Sequence, residues 1–233
     1  MLSHAIGAPF VWPLVVAWMK YLRGYRVRDL GQIRRQARKL LTERQGPVLI
    51  CPNHLTYIDS LVVQWALTSL VQVWRSYRLF AWNVPELTNF YKKSWLRLGC
   101  YLGKCIPIVR GGDREQQNLV FEKLSYVLRQ GELVMVFPEG SRSRTGRIDL
   151  ENLAHGLGRM VKKIDHCRVL CVYIRGDRQD RKSVLPPAGQ TFTVDMELIE
   201  PVSEQKGLRA TQEIVLQIAH RLVDMEERYF AHR

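Results

Sequence analysis

Residues 48–51, 105–109, 133–137 and 169–174 are short uncharged runs rich in branched apolar side chains, and a stretch long enough for a helix separates each from the next. Apolar runs of this length, bounded here by Pro52, Gly111, Gly131, Pro138 and Gly176, read as strands covered on both faces. Read in order, the pattern predicts a basic helix over 31–44 stopped by Gly46-Pro47, and a strand over 48–51. A Leu-rich helix over 59–74, a strand over 78–82, an amphipathic helix over 88–102 and a strand over 105–109 follow. Asp113 caps a helix that runs to Gln130 and ends at Gly131. A strand over 133–137, a helix over 149–163, strands over 169–174 and 191–198, and a closing helix over 207–230 complete the chain. Strands alternating with helices predict an α/β fold: a single domain whose largely parallel mixed sheet is flanked by helices. In such sheets ligands bind at the carboxyl ends of the strands. Those ends carry Asn53-His54, Arg110, Pro138-Glu139 and Arg175-Gly176.

The first 44 residues differ from the rest. Residues 1–19 contain no Asp, Glu, Lys or Arg, and Lys20, Arg23, Arg26 and Arg28 follow. The chain carries a net charge of +13, and residues 1–44 hold nine Lys/Arg against two acids. Basic residues next to an apolar run favour a membrane surface over nucleic acid, and no nucleic-acid-binding motif is present. Pro9 and Pro13 argue against a spanning helix. Residues 1–44 are therefore expected to form an interfacial or re-entrant membrane-associating segment, with Trp12, Trp18 and Tyr21 at headgroup level. The alternative is a buried helix of the same domain. Positive charge after the apolar run places the remainder on the cytoplasmic side, at a bacterial inner membrane. The five cysteines (51, 100, 105, 167 and 171) include no C-x-x-C, so neither a disulfide framework nor a zinc site is expected.

Two clusters carry chemistry. In the first, His54 follows a strand and Asp59 opens an apolar helix. A turn between them would let the carboxylate fix the imidazole tautomer and stabilise the imidazolium formed on proton transfer. A helix cap beside an ordinary turn histidine fits the same segment. The second cluster, Phe137 to Arg144, sets Glu139, Ser141, Arg142, Ser143 and Arg144 just after a strand. Gly140 permits close backbone approach, and arginine suits bidentate phosphate recognition. The absence of G-x-S-x-G here, and of Walker A and H-E-x-x-H motifs, excludes those chemistries.

Asn53-His54 with Asp59, and Phe137 to Arg142, resemble the first and third signature blocks of the lysophosphatidic acid and glycerol-3-phosphate acyltransferase family. Gly103 to Arg110 (GKCIPIVR) resembles the second block and Val169 to Gly176 the fourth. Gly156 sits where the family has a glycine in the following helix. The resemblance spans roughly residues 25–200 and makes residues 45–233 an acyltransferase domain. It implies His54 as the general base, oriented by Asp59. It further implies Arg110, Glu139, Gly140, Ser141 and Arg142 at the acceptor, which would be a lysophospholipid such as 1-acylglycerol-3-phosphate. The donor would be a thioester of coenzyme A or acyl carrier protein, with no metal and no bound cofactor. Val109 and Cys171 depart from the family pattern, where an acidic residue and a proline are usual. A thioesterase-like hydrolase and a non-catalytic basic membrane-binding protein are the competing readings.

Overall fold

The computed structural model describes residues 2–42, 46–90, 94–109 and 111–232. The helices are α1 (Leu2–Ala17, continued by a wider π-type turn over Trp18–Leu22), α2 (Leu30–Thr42), α3 (Asp59–Leu67), α4 (Leu70–Arg75), α5 (Leu87–Phe90), α6 (Ser94–Leu102), α7 (Arg114–Arg129), α8 (His155–Lys162) and α9 (Gly207–Ala231). The strands are β1 (Arg26–Val27), β2 (Val48–Pro52), β3 (Trp82–Asn83), β4 (Val134–Met135), β5 (Arg168–Gly176) and β6 (Thr191–Ile199). They form one sheet in the order β1-β6-β5-β2-β4-β3. Every pairing is parallel except β5 with β6. The fold is the α/β arrangement expected of the sequence.

Alternation along the strands divides the core in two. Val48, Ile50, Met135, Leu170 and Val172 pack with α1–α4, while Leu49, Cys51, Val134, Val169 and Cys171 pack with α7–α9. Both faces are apolar because both are covered. Ile218 and Leu222 of α9 are wholly buried in the second layer, where truncation to Ala costs about 2–5 kcal/mol. Gly156 lets α8 approach α7, since a Cβ there would lie 2.4 Å from the Phe121 ring.

Several expected elements are shorter or divided, each for a local reason. The helix expected over 59–74 breaks at Thr68, because Ser69 and Gln72 form a reciprocal capping box that starts a new helix. The run 105–109 contributes only isolated pairings, Cys105 with Asn83 and Ile108 with Glu86, because Pro107 has no N–H for a ladder. The helix expected from 149 starts at His155, and Ala154 N–H is used instead by Pro138 O at 2.8 Å.

The amino-terminal segment is amphipathic in three dimensions. α1 runs through both prolines, held by packing rather than propensity. Trp12, Val16 and Met19 belong to the first core layer. Trp12, expected at headgroup level, is 2 % exposed and meets Phe80 edge-on at 5.2 Å. Phe10, Leu14, Tyr21 and Leu22 remain exposed on the other side. Among the described residues no helix is long and apolar enough to cross a membrane.

Candidate active site

β2, β4 and β5 lie side by side, and the turns at the carboxyl ends of β2 and β4 build the site. β2 enters a turn anchored to β5: Asn53 Nδ2 donates to Ile174 O (3.1 Å) and Ile174 N–H to Asn53 Oδ1 (2.7 Å). His54 and Asp59 then meet, with Nδ1 3.0 Å from Oδ2. The same carboxylate oxygen accepts from the backbone N–H groups of Leu55 (2.6 Å) and Thr56 (2.7 Å), and Oδ1 accepts from the Thr56 hydroxyl. The helix-cap reading is thereby excluded: Asp59 opens α3 but turns back to organise residues 54–56. An ionised carboxylate only accepts, so Nδ1 of His54 is the nitrogen that donates to it, and in the neutral imidazole Nε2 is the nitrogen left to accept a proton. The imidazole stacks on Phe137, 4.0 Å between centroids and 24° between planes.

The turn after β4 is tied to the first. His54 N–H donates to Glu139 Oε1 (2.8 Å), and Ser143 N–H donates to His54 O (2.9 Å). Gly140 adopts φ +61°, the left-handed conformation that glycine alone accepts freely. Glu139 is 3 % exposed, and its Oε2 has no hydrogen-bond partner among the described residues. Burial pushes its carboxyl up to about 8, against the opposing pull of the His54 N–H. Arg142 donates from Nη1 to Ser183 O (3.0 Å), and its guanidinium lies 3.9 Å from the Tyr57 ring centroid. Ser141 is exposed, its N–H turned back to Glu139 O at 2.6 Å.

A cavity of about 370 Å³ opens beside these groups. His54, Tyr57, Phe137 and Arg142 line it at one side, and Val11, Trp12, Val15, Leu61 and Leu96 give it apolar walls. An imidazole fixed in one tautomer, a free ring nitrogen and a guanidinium around one apolar cavity suit proton abstraction from a polar group attached to a long apolar body.

The structure thus brings His54, Asp59, Glu139, Gly140, Ser141 and Arg142 onto two adjoining turns. Arg110 lies outside the described residues. Arg175, also at a strand end, does not join them. Its buried guanidinium donates to Gly146 O (2.6 Å) and Gln179 O (2.9 Å) and lies 3.5 Å from Glu226, bracing the loop behind the site. The stacking of Phe137, the platform made by Tyr57 and the bridge made by Asn53 escaped the sequence reading. Each residue sits within the two motifs, so adjacency was the available signal. The cavity walls contributed by α1 and α6 gave none.

Two turns at neighbouring strand ends, one holding a histidine–carboxylate pair and the other a buried glutamate and an arginine, thus adjoin one apolar cavity in an α/β scaffold. Residues 26–175 match the Acyltransferase family model, and the chain belongs to that family, the lysophosphatidic acid and glycerol-3-phosphate acyltransferases. It is an O-acyltransferase.

Proposed function

We propose that the chain transfers a fatty acyl group from an acyl thioester, of coenzyme A or acyl carrier protein, to a hydroxyl of a lysophospholipid such as 1-acylglycerol-3-phosphate. The observation that carries this reading is the His54–Asp59 pair at the side of an apolar cavity that also presents Arg142. His54 Nε2 takes the proton of the acceptor hydroxyl while the oxygen attacks the thioester carbonyl. Asp59 stabilises the resulting imidazolium, which then protonates the departing thiolate. The acyl chain lies along the cavity against α1, α3 and α6. Arg142, spending one N–H on Ser183, directs its remaining donors at the acceptor phosphate, with Arg110, Glu139, Gly140 and Ser141 completing that end. Burial pushes the Glu139 carboxyl up to about 8, which favours the protonated form near neutral pH, and a neutral carboxyl there would not repel the phosphate.

The acceptor reaches the protein from a membrane at the cytoplasmic face. The exposed Phe10, Leu14, Tyr21 and Leu22 of the first helical segment, with Lys20 and Arg23 nearby, support an interfacial attachment. Pure protein incubated with labelled acyl-CoA or acyl carrier protein thioester and a panel of lysolipids tests this reading. Labelled diacyl product on phosphate-bearing acceptors is the expected result. Free fatty acid as the sole labelled product from every acceptor would show a hydrolase instead.

A further inference from the structure

α6 ends in a turn that brings two thiols together in the cavity wall. Gly103 N–H donates to Gly99 O (2.8 Å) and Cys105 N–H to Cys100 O (3.0 Å), with Lys104 between them at φ +52°. This helix termination, with a left-handed residue before the six-to-one hydrogen bond, sets the side chains of the two bonded residues against each other. Glycine normally takes the left-handed place. Lysine holds it here because its side chain is fully buried and satisfied from below. The ammonium donates to Tyr77 O (2.9 Å), Phe80 O (3.1 Å) and Glu132 Oε2 (2.7 Å), and lies 3.8 Å from the Tyr77 ring centroid. The turn is therefore fixed, and with it the side-by-side placement of residues 100 and 105.

The side chains that meet are Cys100 and Cys105. Both thiols are free, the Cys105 N–H is bonded to Cys100 O, the Cys105 Sγ lies 3.7 Å from Gly103 O, and both residues line the cavity that His54 lines. The neighbouring Cys105 thiol draws Cys100 below the usual thiol range while Cys105 itself is raised, which makes Cys100 the attacking sulfur. Cys51, Cys167 and Cys171 lie in the second core layer, away from the cavity. Burial raises Cys51 well above the usual range and pushes Cys167 and Cys171 up to about 12.

We propose that Cys100 and Cys105 form a dithiol modification site in the cavity wall, closed to a disulfide by exchange with a small neutral disulfide and shielded when an acyl chain is bound. The Cys100 thiolate attacks one sulfur of the small disulfide and releases one small thiolate, which takes up the proton that Cys100 gave up. Cys105, deprotonated in turn, attacks the Cys100 sulfur and releases the second thiolate, which is protonated likewise. The Cys100–Cys105 bond forms, the two cysteines are oxidised by two electrons, and the reagent is reduced to two thiols. The shielding rests on the proposed reading of the cavity as the acyl site, whereas the pairing of the thiols does not.

The test incubates the folded protein with bis(2-hydroxyethyl) disulfide and reads the products by intact mass and peptide mapping. The expected product is lighter by two hydrogens, carries no adduct and yields a single cross-linked peptide joining Cys100 to Cys105. Cys105→Ala should instead retain one mixed disulfide on Cys100. A saturating long-chain acyl-CoA should slow closure by about tenfold. Stable adducts on the unmodified chain, or a cross-link to Cys51, Cys167 or Cys171, would overturn the dithiol site. Closure at an unchanged rate under acyl-CoA would overturn the shielding and the acyl reading of the cavity, while the cross-link itself upholds the paired thiols.

Discussion

Replacing Asp59 by Asn removes one negative charge from the site while keeping nearly every contact. Oδ2 accepts three N–H groups, from Leu55, Thr56 and the His54 ring. The two backbone donors cannot be satisfied by an amide NH₂, so the Asn oxygen must take that place. Its NH₂ then faces the Thr56 hydroxyl, which rotates to accept. The imidazole consequently keeps its proton on Nδ1, and only the electrostatic support of the imidazolium is lost. A charged hydrogen bond contributes about 1.5–3 kcal/mol, so turnover should fall roughly 10–100-fold. A histidine flipped to the wrong tautomer costs on the order of 10⁴. Steady-state turnover at saturating thioester and acceptor, with nitrogen NMR of the His54 ring, distinguishes the two. A loss near 10⁴ accompanied by a proton on Nε2 would refute the argument that the backbone fixes the amide. A loss under about threefold would refute the role of the charge.

Glu139 binds its proton more tightly folded than unfolded, so its own contribution to stability should be full below pH 4.5, be lost as pH rises from 4.5 to 8 by up to about tenfold in the folding constant per pH unit, and be absent above. Urea titrations across that range check it, and Glu139→Gln should flatten this fall. Arg142→Ala should lower kcat/KM for a phosphate-bearing acceptor by roughly 10–100-fold, with Lys restoring only part, because a point charge lacks the planar fork. Thioester hydrolysis without acceptor should hold steady, and a parallel fall of both rates would assign Arg142 to the donor or the fold. Leu14→Glu combined with Leu22→Glu alters side chains 71 % and 78 % exposed, so co-sedimentation with anionic vesicles should weaken while thermal stability is kept. Unchanged sedimentation would contradict interfacial attachment through this face.

Elements whose burial is written into local composition were legible in the sequence. β2, β5, β6, α7 and α9 stand within a residue or two of their expected places, since each is a long or wholly apolar segment with a clear cap or breaker. The edge strands were not, because β3 and the 105–109 run owe their form to pairing partners distant in sequence. Both turns of the site could be read because strand ends and chemistry-bearing residues coincide there. What the sequence left open, between a membrane-associating segment and a buried helix, was which face of α1 packs on the core. Its 16 residues, Leu2–Ala17, are apolar on nearly every side, so nothing in their periodicity tells the face against Phe80 from the face left exposed. Arg175 misled for the opposite reason: a charged residue at a strand end suggests a ligand, whereas a loop and Glu226 claim this one internally.

The proposed transfer requires His54 as the base, and a single-turnover measurement with His54→Ala tests that most directly. A base acting only in the transition state contributes about 10²–10⁴-fold. Acyl transfer to a lysophospholipid in vesicles should therefore fall by that factor while the variant still binds acyl-CoA with near-native affinity. Near-normal transfer by His54→Ala would contradict the mechanism outright.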